Sequence, residues 1–497
     1  METVTSSPKR WWALVAIVLC TLTLGFDITI LNVALPTLAA DLDAGTSALQ
    51  WIVDSYVLVF AGLLLPMGAL GDRYGRRKLL LAGLALFALA SLLAVVATGP
   101  GQVIVARTLM GVGAAVMTPL STAIIPVMFD ATDRPKAIAL LTMGMGIGLP
   151  IGPILGGYLL EHFWWGSIFL VNVPAAVVAF IAVAALVPES KAARPKHIDL
   201  GGGLLSTAGL TLFVYGVIEA PVRGWTDPLV LGALVAGLAL LAAFVVVERR
   251  TAEPMLDLGL FRRPRFAWGT AAGTIASFSL FGLLFVVPQF LQAVRGMDAL
   301  AVGVRLLPLI VGLFVGAPVA ARLSVRIGTK IPVVTGLLVS AAGLFVGTAT
   351  GPDSTYGFIA TWLLLIGLGT GLALAPAMDA VLGELPPDEA GSGTAVTMTL
   401  RQTAGALGVA LLGSLLSAVY RADLGSGASA AARESIAGAL ATGEIAAARS
   451  AFTTGMAAVL AVCGTLAVAG AVLTARWLPA RAAARQSESE HEPARVA

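Results

Sequence analysis

The chain has 497 residues, of which 58% are hydrophobic and 12% charged, and its mean hydropathy is +0.92. A soluble domain carries roughly 25% charged residues, so a soluble enzyme or binding module of this length is excluded. The formal net charge of +3 and pI near 9.0 do not indicate a nucleic-acid partner, because the basic residues sit in short loops between apolar runs.

Those runs, about 20 residues each, recur from end to end and predict an all-α polytopic protein in the lipid bilayer. A membrane barrel would alternate apolar and polar residues in short segments, which this chain does not. Six spans are expected near 12–35, 49–69, 79–97, 102–124, 137–160 and 167–187. The first follows Lys9 and Arg10 and reads as a helix that also directs insertion, not as a cleaved signal. Two more fall near 200–218 and 228–247, and a last six near 266–290, 301–321, 331–348, 356–381, 394–418 and 453–473. The total is about fourteen. They divide into a six-helix bundle over 1–190, a linker with two additional helices over 191–262, a second six-helix bundle over 263–478 and a disordered cytoplasmic tail over 479–497. The outer connection 421–451 is rich in Ala and Gly and reads either as short interfacial helices or as disorder.

One set of loops holds Arg73, Arg76, Arg77 and Lys78, then Arg134 and Lys136, and later Arg322, Arg326 and Lys330. The opposite loops are poorer in basic residues. The rich side is expected to be cytoplasmic, with both termini inside. Cys20 and Cys463 lie in separate apolar runs, and the three histidines form no ligand pattern, so neither a disulfide nor a metal site is expected. The run Gly328-Thr329-Lys330 lacks the glycine spacing of a phosphate-binding loop. No cofactor is expected, and energy must come from an ion or substrate gradient.

Within the fifth span, Gly144, Gly148, Gly152 and Gly156 recur every four residues and fall near one helix face. Such a bare face predicts close backbone packing against a partner helix. Pro150 and Pro153 should bend it.

Charges inside spans are few, and each is a candidate functional group. Asp27 sits midway in the first span and should face a polar cavity, where one carboxylate can hold a proton or a cation but not both comfortably; a structural ion pair is the other reading. Asp54 is either a second carboxylate near the outer mouth or an interfacial polar residue. Arg107 in the fourth span needs a carboxylate or carbonyls, and Asp27 is the nearest candidate by span order. Phe26, Asn32, Tyr56, Met145, Phe285 and Gln289 are candidate cavity-lining residues, with ordinary packing or a structural role the competing reading for each.

The loop GALGDRYGRRK at 68–78 has a weaker counterpart, LSVRIGTK at 323–330, which suggests two related six-helix halves. Asp72, among Arg73, Arg76, Arg77 and Lys78, can cap a helix or pair across helices and so hold one conformation.

With these residues in place, the chain resembles the major facilitator superfamily, and within it the fourteen-helix drug:proton antiporter branch. Gly68, Asp72, Arg73, Gly75 and Arg76 match the signature loop between helices two and three, for which the resemblance implies conformational gating. Arg107 with Gly111 matches the fourth-helix motif linked to proton transfer. Gly148, Gly152, Pro153, Gly156 and Gly157 match the antiporter motif of helix five, and Asp27, Asn32 and Pro36 match the first-helix motif of the branch. Residues 159–174, LLEHFWWGSIFLVNVP, are similar to exporters of quaternary ammonium compounds and dyes.

The resemblance implies a major facilitator fold and a multidrug efflux antiporter of the bacterial inner membrane. It would exchange lipophilic cations for protons and function as a monomer, with Asp27, Asp54 and Arg107 in proton coupling or cation binding. A dedicated exporter of an antibiotic or other natural product is the alternative. Two departures stand out: no paired glutamates occur near Thr397 and Met398, and Val325 replaces the usual aspartate of the second-half loop.

Overall fold

The computed structural model describes residues 9–129, 133–191, 200–251, 258–384, 390–425, 427–434, 436, 439 and 443–479. The first half comprises α1 (Lys9–Asp41), α2 (Thr46–Tyr74), α3 (Arg76–Val95), α4 (Pro100–Met128) and α5 (Arg134–His162). Its sixth crossing is broken at Val171 into α6 (Ser167–Leu170) and α7 (Asn172–Leu186). Two inserted helices follow, α8 (Leu200–Arg223) and α9 (Pro228–Arg250).

The second half begins with α10 (Pro264–Gln289), which runs into a π turn over Phe290–Val294. It continues with α11 (Ala299–Arg305), α12 (Leu307–Ile327), α13 (Lys330–Gly347), α14 (Tyr356–Leu382), α15 (Ala390–Leu424), the short α16 (Ala430–Glu434) and α17 (Ile445–Trp477).

Helix starts follow local chemistry. Proline occupies the first turn of α4, α9 and α10, where its missing N–H is no loss. Asp227 caps α9 by accepting from the Leu229 and Val230 amides at 2.8 and 3.2 Å, and Asp298 caps α11 through the Ala301 amide at 2.6 Å. Among the described residues, thirteen helical stretches are long and apolar enough to cross a membrane, and α5 adds a further helix of 29 residues beside α1. The helices overrun the expected spans, α1 reaching Asp41 and α15 reaching Leu424, because helical hydrogen bonding continues past the apolar slab. The expected span 301–321 is two pieces meeting at Leu306, with Pro308 entering the second.

Exposure sorts the helices. The most apolar window of α1 is 72% buried and that of α9 only 22%, so α1 is central and α9 faces lipid. Helices α1–α7 pack among themselves, as do α10–α17. The halves meet where α5 lies on α11, α2 on α15 and α1 on α10.

These meeting points share one end of the molecule, the end of the α1–α2 connection. Gln50 Nε2 donates to the Val409 and Ala410 carbonyls at 3.3 and 3.0 Å, and Gln292 Nε2 donates to the Val33 carbonyl at 2.6 Å. A Cβ on Gly157 would lie 2.5 Å from the Leu300 Cα. At the opposite end, the ion pairs Arg10–Asp133 and Arg76–Asp72 each join elements within one half.

Helix α8 touches both halves: Ser47 Oγ of α2 donates to Glu219 at 2.8 Å, and Ser414 Oγ of α15 donates to the Val217 carbonyl at 2.9 Å. In the connection 421–451, the described part carries α16, whose Ala432 carbonyl accepts from the Tyr420 hydroxyl at 2.9 Å. Beyond Pro479 the tail lies outside the described residues.

Candidate functional site

The glycine face of α5 packs against α1. A Cβ on Gly148 would lie 2.6 Å from the Leu22 carbonyl and 2.8 Å from the Phe26 amide nitrogen. One on Gly152 would lie 2.7 Å from the Phe26 carbonyl, and one on Gly156 2.7 Å from the Ile30 side chain. The two backbones therefore touch along the stretch that carries Asp27. Gly157 and Pro153 turn instead toward α11, so α5 lies between α1 and the second half.

Asp27 is 1% exposed and Arg107 2%. Arg107 Nη1 donates to Asp27 Oδ2 at 2.8 Å, and Asn172 Nδ2 donates to Asp27 Oδ1 at 2.8 Å. The guanidinium also donates through Nε to the Ile52 carbonyl at 3.3 Å, and it stands 4.1 Å from the centre of the Tyr56 ring. One carboxylate and one guanidinium thus share a pocket between α1, α2, α4 and α7, closed from bulk solvent. Asp27 was expected to face a polar cavity. It is enclosed instead, because Arg107 and Asn172 supply the hydrogen bonds that water would otherwise make.

Asp54 lies fully buried on α2, and neither of its carboxylate oxygens has a hydrogen-bond partner. Phe26, Asn32, Tyr56, Phe285 and Gln289 are all buried. The Asn32 and Gln289 amides turn back onto the carbonyls of Ile28 and Phe285 in their own helices. The side chain of Met145 lies outside the described residues. A separate apolar pocket between the halves is walled by Thr29, Pro153, Leu280, Leu306, Leu309 and Thr370, among others. The five candidate lining residues just placed are absent from its wall.

At the α2–α3 turn, Gly75 adopts φ 123°, a conformation that side chains resist. Arg76 Nε donates to Asp72 Oδ1 at 2.8 Å across the two helices, and the Arg73 guanidinium lies 5.7 Å from the Tyr74 ring centre. Gly68 faces Pro119 of α4, at 3.5 Å from an added Cβ. The start of α3 is capped by Glu189, which accepts from the Arg77 and Lys78 amides at 3.2 Å each. The corresponding turn of the second half has Gly328 at φ 82°, while Val325 is 88% exposed.

Three residues escaped the sequence reading as partners: Asn172 on Asp27, Glu189 on α3 and Gln50 across the halves. A polar residue within an apolar run was the available signal for Asn172 and Gln50, and an acid at the end of a span for Glu189. Among the described residues, no group of three His, Cys, Asp or Glu side chains is placed to hold a metal ion.

Two helical halves meeting at one end, with a buried charge pair between the central helix α1 and α4, define a multi-pass membrane transporter. The profile of the Major Facilitator Superfamily matches residues 17–409, and the chain belongs to that family. Puromycin resistance protein pur8 of Streptomyces alboniger is 37% identical over 426 residues, 84% of each chain. Methyl viologen resistance protein SmvA of Salmonella typhimurium is 35% identical over 420 residues, again 84% of each chain. Multidrug efflux pump LfrA of Mycolicibacterium smegmatis is 34% identical over 487 residues, 94% of this chain and 96% of LfrA. These relatives agree with the drug:proton antiporter branch. Among solved structures, a bacterial homologue of the human lysosomal transporter Spinster, inward-facing and unoccupied, superposes with a TM-score of 0.70 at 17% identity, covering 96% of this chain and all of that one. At that identity the likeness concerns the fold.

Proposed function

We propose that the chain is a proton-coupled multidrug antiporter of the bacterial inner membrane, with both termini in the cytoplasm, exporting lipophilic cations, quaternary ammonium compounds and dyes. The observation that carries this is the Asp27–Arg107 pair, 2.8 Å apart and closed from solvent on the helix that α5 grips. Ionisable groups at such depth are retained for a task.

Gln50, Gln292 and Gly157 join the halves at the end that would face outward, so the exchange starts from a state closed on that side. In this arrangement Asp27 accepts from both Arg107 and Asn172, the bonding that an ionised carboxylate makes. A proton on Asp27 removes the counter-charge of Arg107, whose guanidinium then relies on the Ile52 carbonyl and the Tyr56 ring. The change at α1 passes to α5 and on to α11, because at Gly148 and Gly152 the α5 backbone rests directly on the Leu22 and Phe26 backbone of α1. Thr29, two residues from Asp27, belongs to the apolar wall between the halves. A cation held there and a proton on Asp27 add positive charge to the same region, so each disfavours the other, the condition for exchange. Asp54, buried without a partner, is a second proton site. The turn residues around Asp72 and Gly75 hold the cytoplasmic ends of α2 and α3 in register during the exchange.

Relatives named for methyl viologen resistance and multidrug efflux support this substrate class. A dedicated natural-product exporter is the second reading, favoured by relatives named for puromycin resistance and for tetracenomycin C resistance and export. The test is ethidium efflux from proteoliposomes with and without an imposed proton gradient, comparing wild type with Asp27→Asn. Gradient-driven efflux that fails in the variant supports the antiporter. An Asp27→Asn protein pumping at the full rate would refute the coupling role of Asp27. No ethidium movement by folded wild type would favour the natural-product exporter.

A further inference from the structure

We propose that Asn172 is a positioning residue that reads the protonation state of Asp27 by reversing its side-chain amide, donating to the carboxylate and accepting from the carboxylic acid. This stands on Asp27 being the proton carrier proposed above.

Asn172 is fully buried at the first position of α7. Its Nδ2 donates to Asp27 Oδ1 at 2.8 Å, and its own Oδ1 has no hydrogen-bond partner. An ionised carboxylate is acceptor-only, so the amide must turn its NH2 toward Asp27 and leave its oxygen idle. The reverse orientation would set oxygen against oxygen.

Once Asp27 carries a proton, its O–H becomes a donor that needs an acceptor. Arg107 has five N–H donors and no acceptor, and it already faces Asp27 Oδ2. The idle oxygen of Asn172 is the complementary group. A half-turn about its last side-chain bond brings that oxygen to the proton on Asp27 Oδ1, while Asp27 Oδ2 continues to accept from Arg107. The O–H bond formed on Asp27 takes its proton from hydronium in the bathing water, whose own O–H bond breaks, and at the site one N–H···O hydrogen bond is exchanged for one O–H···O. The proton is thereby placed on Oδ1, away from the cation.

The charged and titratable side chains near Asp27 come from two neighbouring helices. Arg107 projects from α4 and pairs with it directly. On α2, Tyr56 stacks on that guanidinium, and Asp54 lies two residues before it. Helix α7 has no titratable side chain in its run NVPAAVVAFIAVAAL. Helix α10 carries only Arg265, close to its start, and Arg305 closes α11. On α5, Glu161 and His162 close the helix, beyond its glycine face, and Arg134 and Lys136 open it.

The sequence contains two asparagines, Asn32 and Asn172, which makes the test direct. The full chain is labelled with 13C,15N-asparagine, placed in lipid nanodiscs and followed by NMR across pH, with Asn172→Leu assigning the two side chains. The Asn172 side-chain signal is expected to move between two positions with the same midpoint as proton-driven efflux, and to stay fixed in Asp27→Leu. An Asn172 signal that is flat through that midpoint overturns the proposal, as does one that still titrates in Asp27→Leu.

Transport gives a second readout. Hydrogen bonds to a charged group are the stronger ones, so losing both states' bonds in Asn172→Leu favours the acid. The efflux midpoint should rise by about one pH unit, a tenfold gain in proton affinity. A lower rate with an unmoved midpoint would mark Asn172 as merely structural and overturn the proposal. Should Asp27→Asn retain driven efflux, the coupling role of Asp27 fails, and the NMR titration still decides separately whether Asn172 senses it.

Discussion

Asp27→Asn leaves Arg107 charged, 2% exposed and without its counter-ion. What remains to it is a neutral amide oxygen in place of the carboxylate, with the Ile52 carbonyl at 3.3 Å and the Tyr56 ring at 4.1 Å already engaged in the parent protein. Removing one partner of a buried pair costs roughly 3–5 kcal/mol, because the orphaned charge stays in a low-dielectric site. Arg107→Gln strands Asp27 with Asn172 as its named donor and is expected to cost a similar amount. The double variant Asp27→Asn/Arg107→Gln has no buried charge at this site. It should lie within about 1 kcal/mol of wild type, which implies a coupling energy of about 5 kcal/mol or more. The assay is reversible unfolding of the four proteins in mixed micelles, with proton-driven ethidium efflux measured in parallel. Stability should return in the double variant and efflux should not, since restoring neutrality does not restore a proton carrier. Additive losses would refute an energetic pair. An Asp27→Asn protein as stable as wild type would show that Asp27 does not hold Arg107 as an ion pair.

Three further outcomes are expected. Asp54→Leu removes a fully buried carboxyl whose oxygens lack partners, so it should raise the unfolding free energy by about 1–3 kcal/mol while lowering driven efflux; a less stable protein would show that Asp54 is satisfied in a way the geometry does not reveal. Gly148→Val forces a side chain against the Leu22 carbonyl and Phe26 amide and should destabilise by at least about 1–3 kcal/mol, whereas Gly232→Ala, with open space around its Cβ, should be neutral or stabilising in the same melting assay. Gln50→Leu removes two hydrogen bonds to α15, worth about 1–2 kcal/mol together, and should populate a state open at the end of the α1–α2 connection roughly 5–30-fold more; spin labels at 43 and 353 would report a second, longer distance, and an unchanged distribution would deny Gln50 a gating role.

The helical crossings were legible in the sequence because each had to fill the bilayer with apolar side chains. The period-four glycines announced a helix partner, and the structure identifies it as α1. What hydropathy cannot encode is direction around a helix: Asp27 was visible as a charge, but its enclosure depends on Asn172, which comes from a chain position 145 residues away. The break at Val171 and the π turn over Phe290–Val294 were invisible for a related reason. Both are settled by neighbouring helices, and an apolar run reads the same whether or not its hydrogen bonding is continuous. The candidate lining residues were chosen for their chemistry, whereas the apolar wall is built largely from leucines that no composition rule separates from lipid-facing ones.

The inserted helix α8 makes the two flanks of the molecule unequal. Along the α2–α15 side, Ser47 and Ser414 tie it to both halves, so a hydrophobic solute drifting in the bilayer meets a third helix there. Along the α5–α11 side the seam is closed by Gly157 and Gly303 resting on opposing backbone, and among the described residues neither α8 nor α9 packs on that contact as α8 does on the other flank. A chain with a fairly symmetric pair of halves thereby acquires a front and a back within the plane of the membrane.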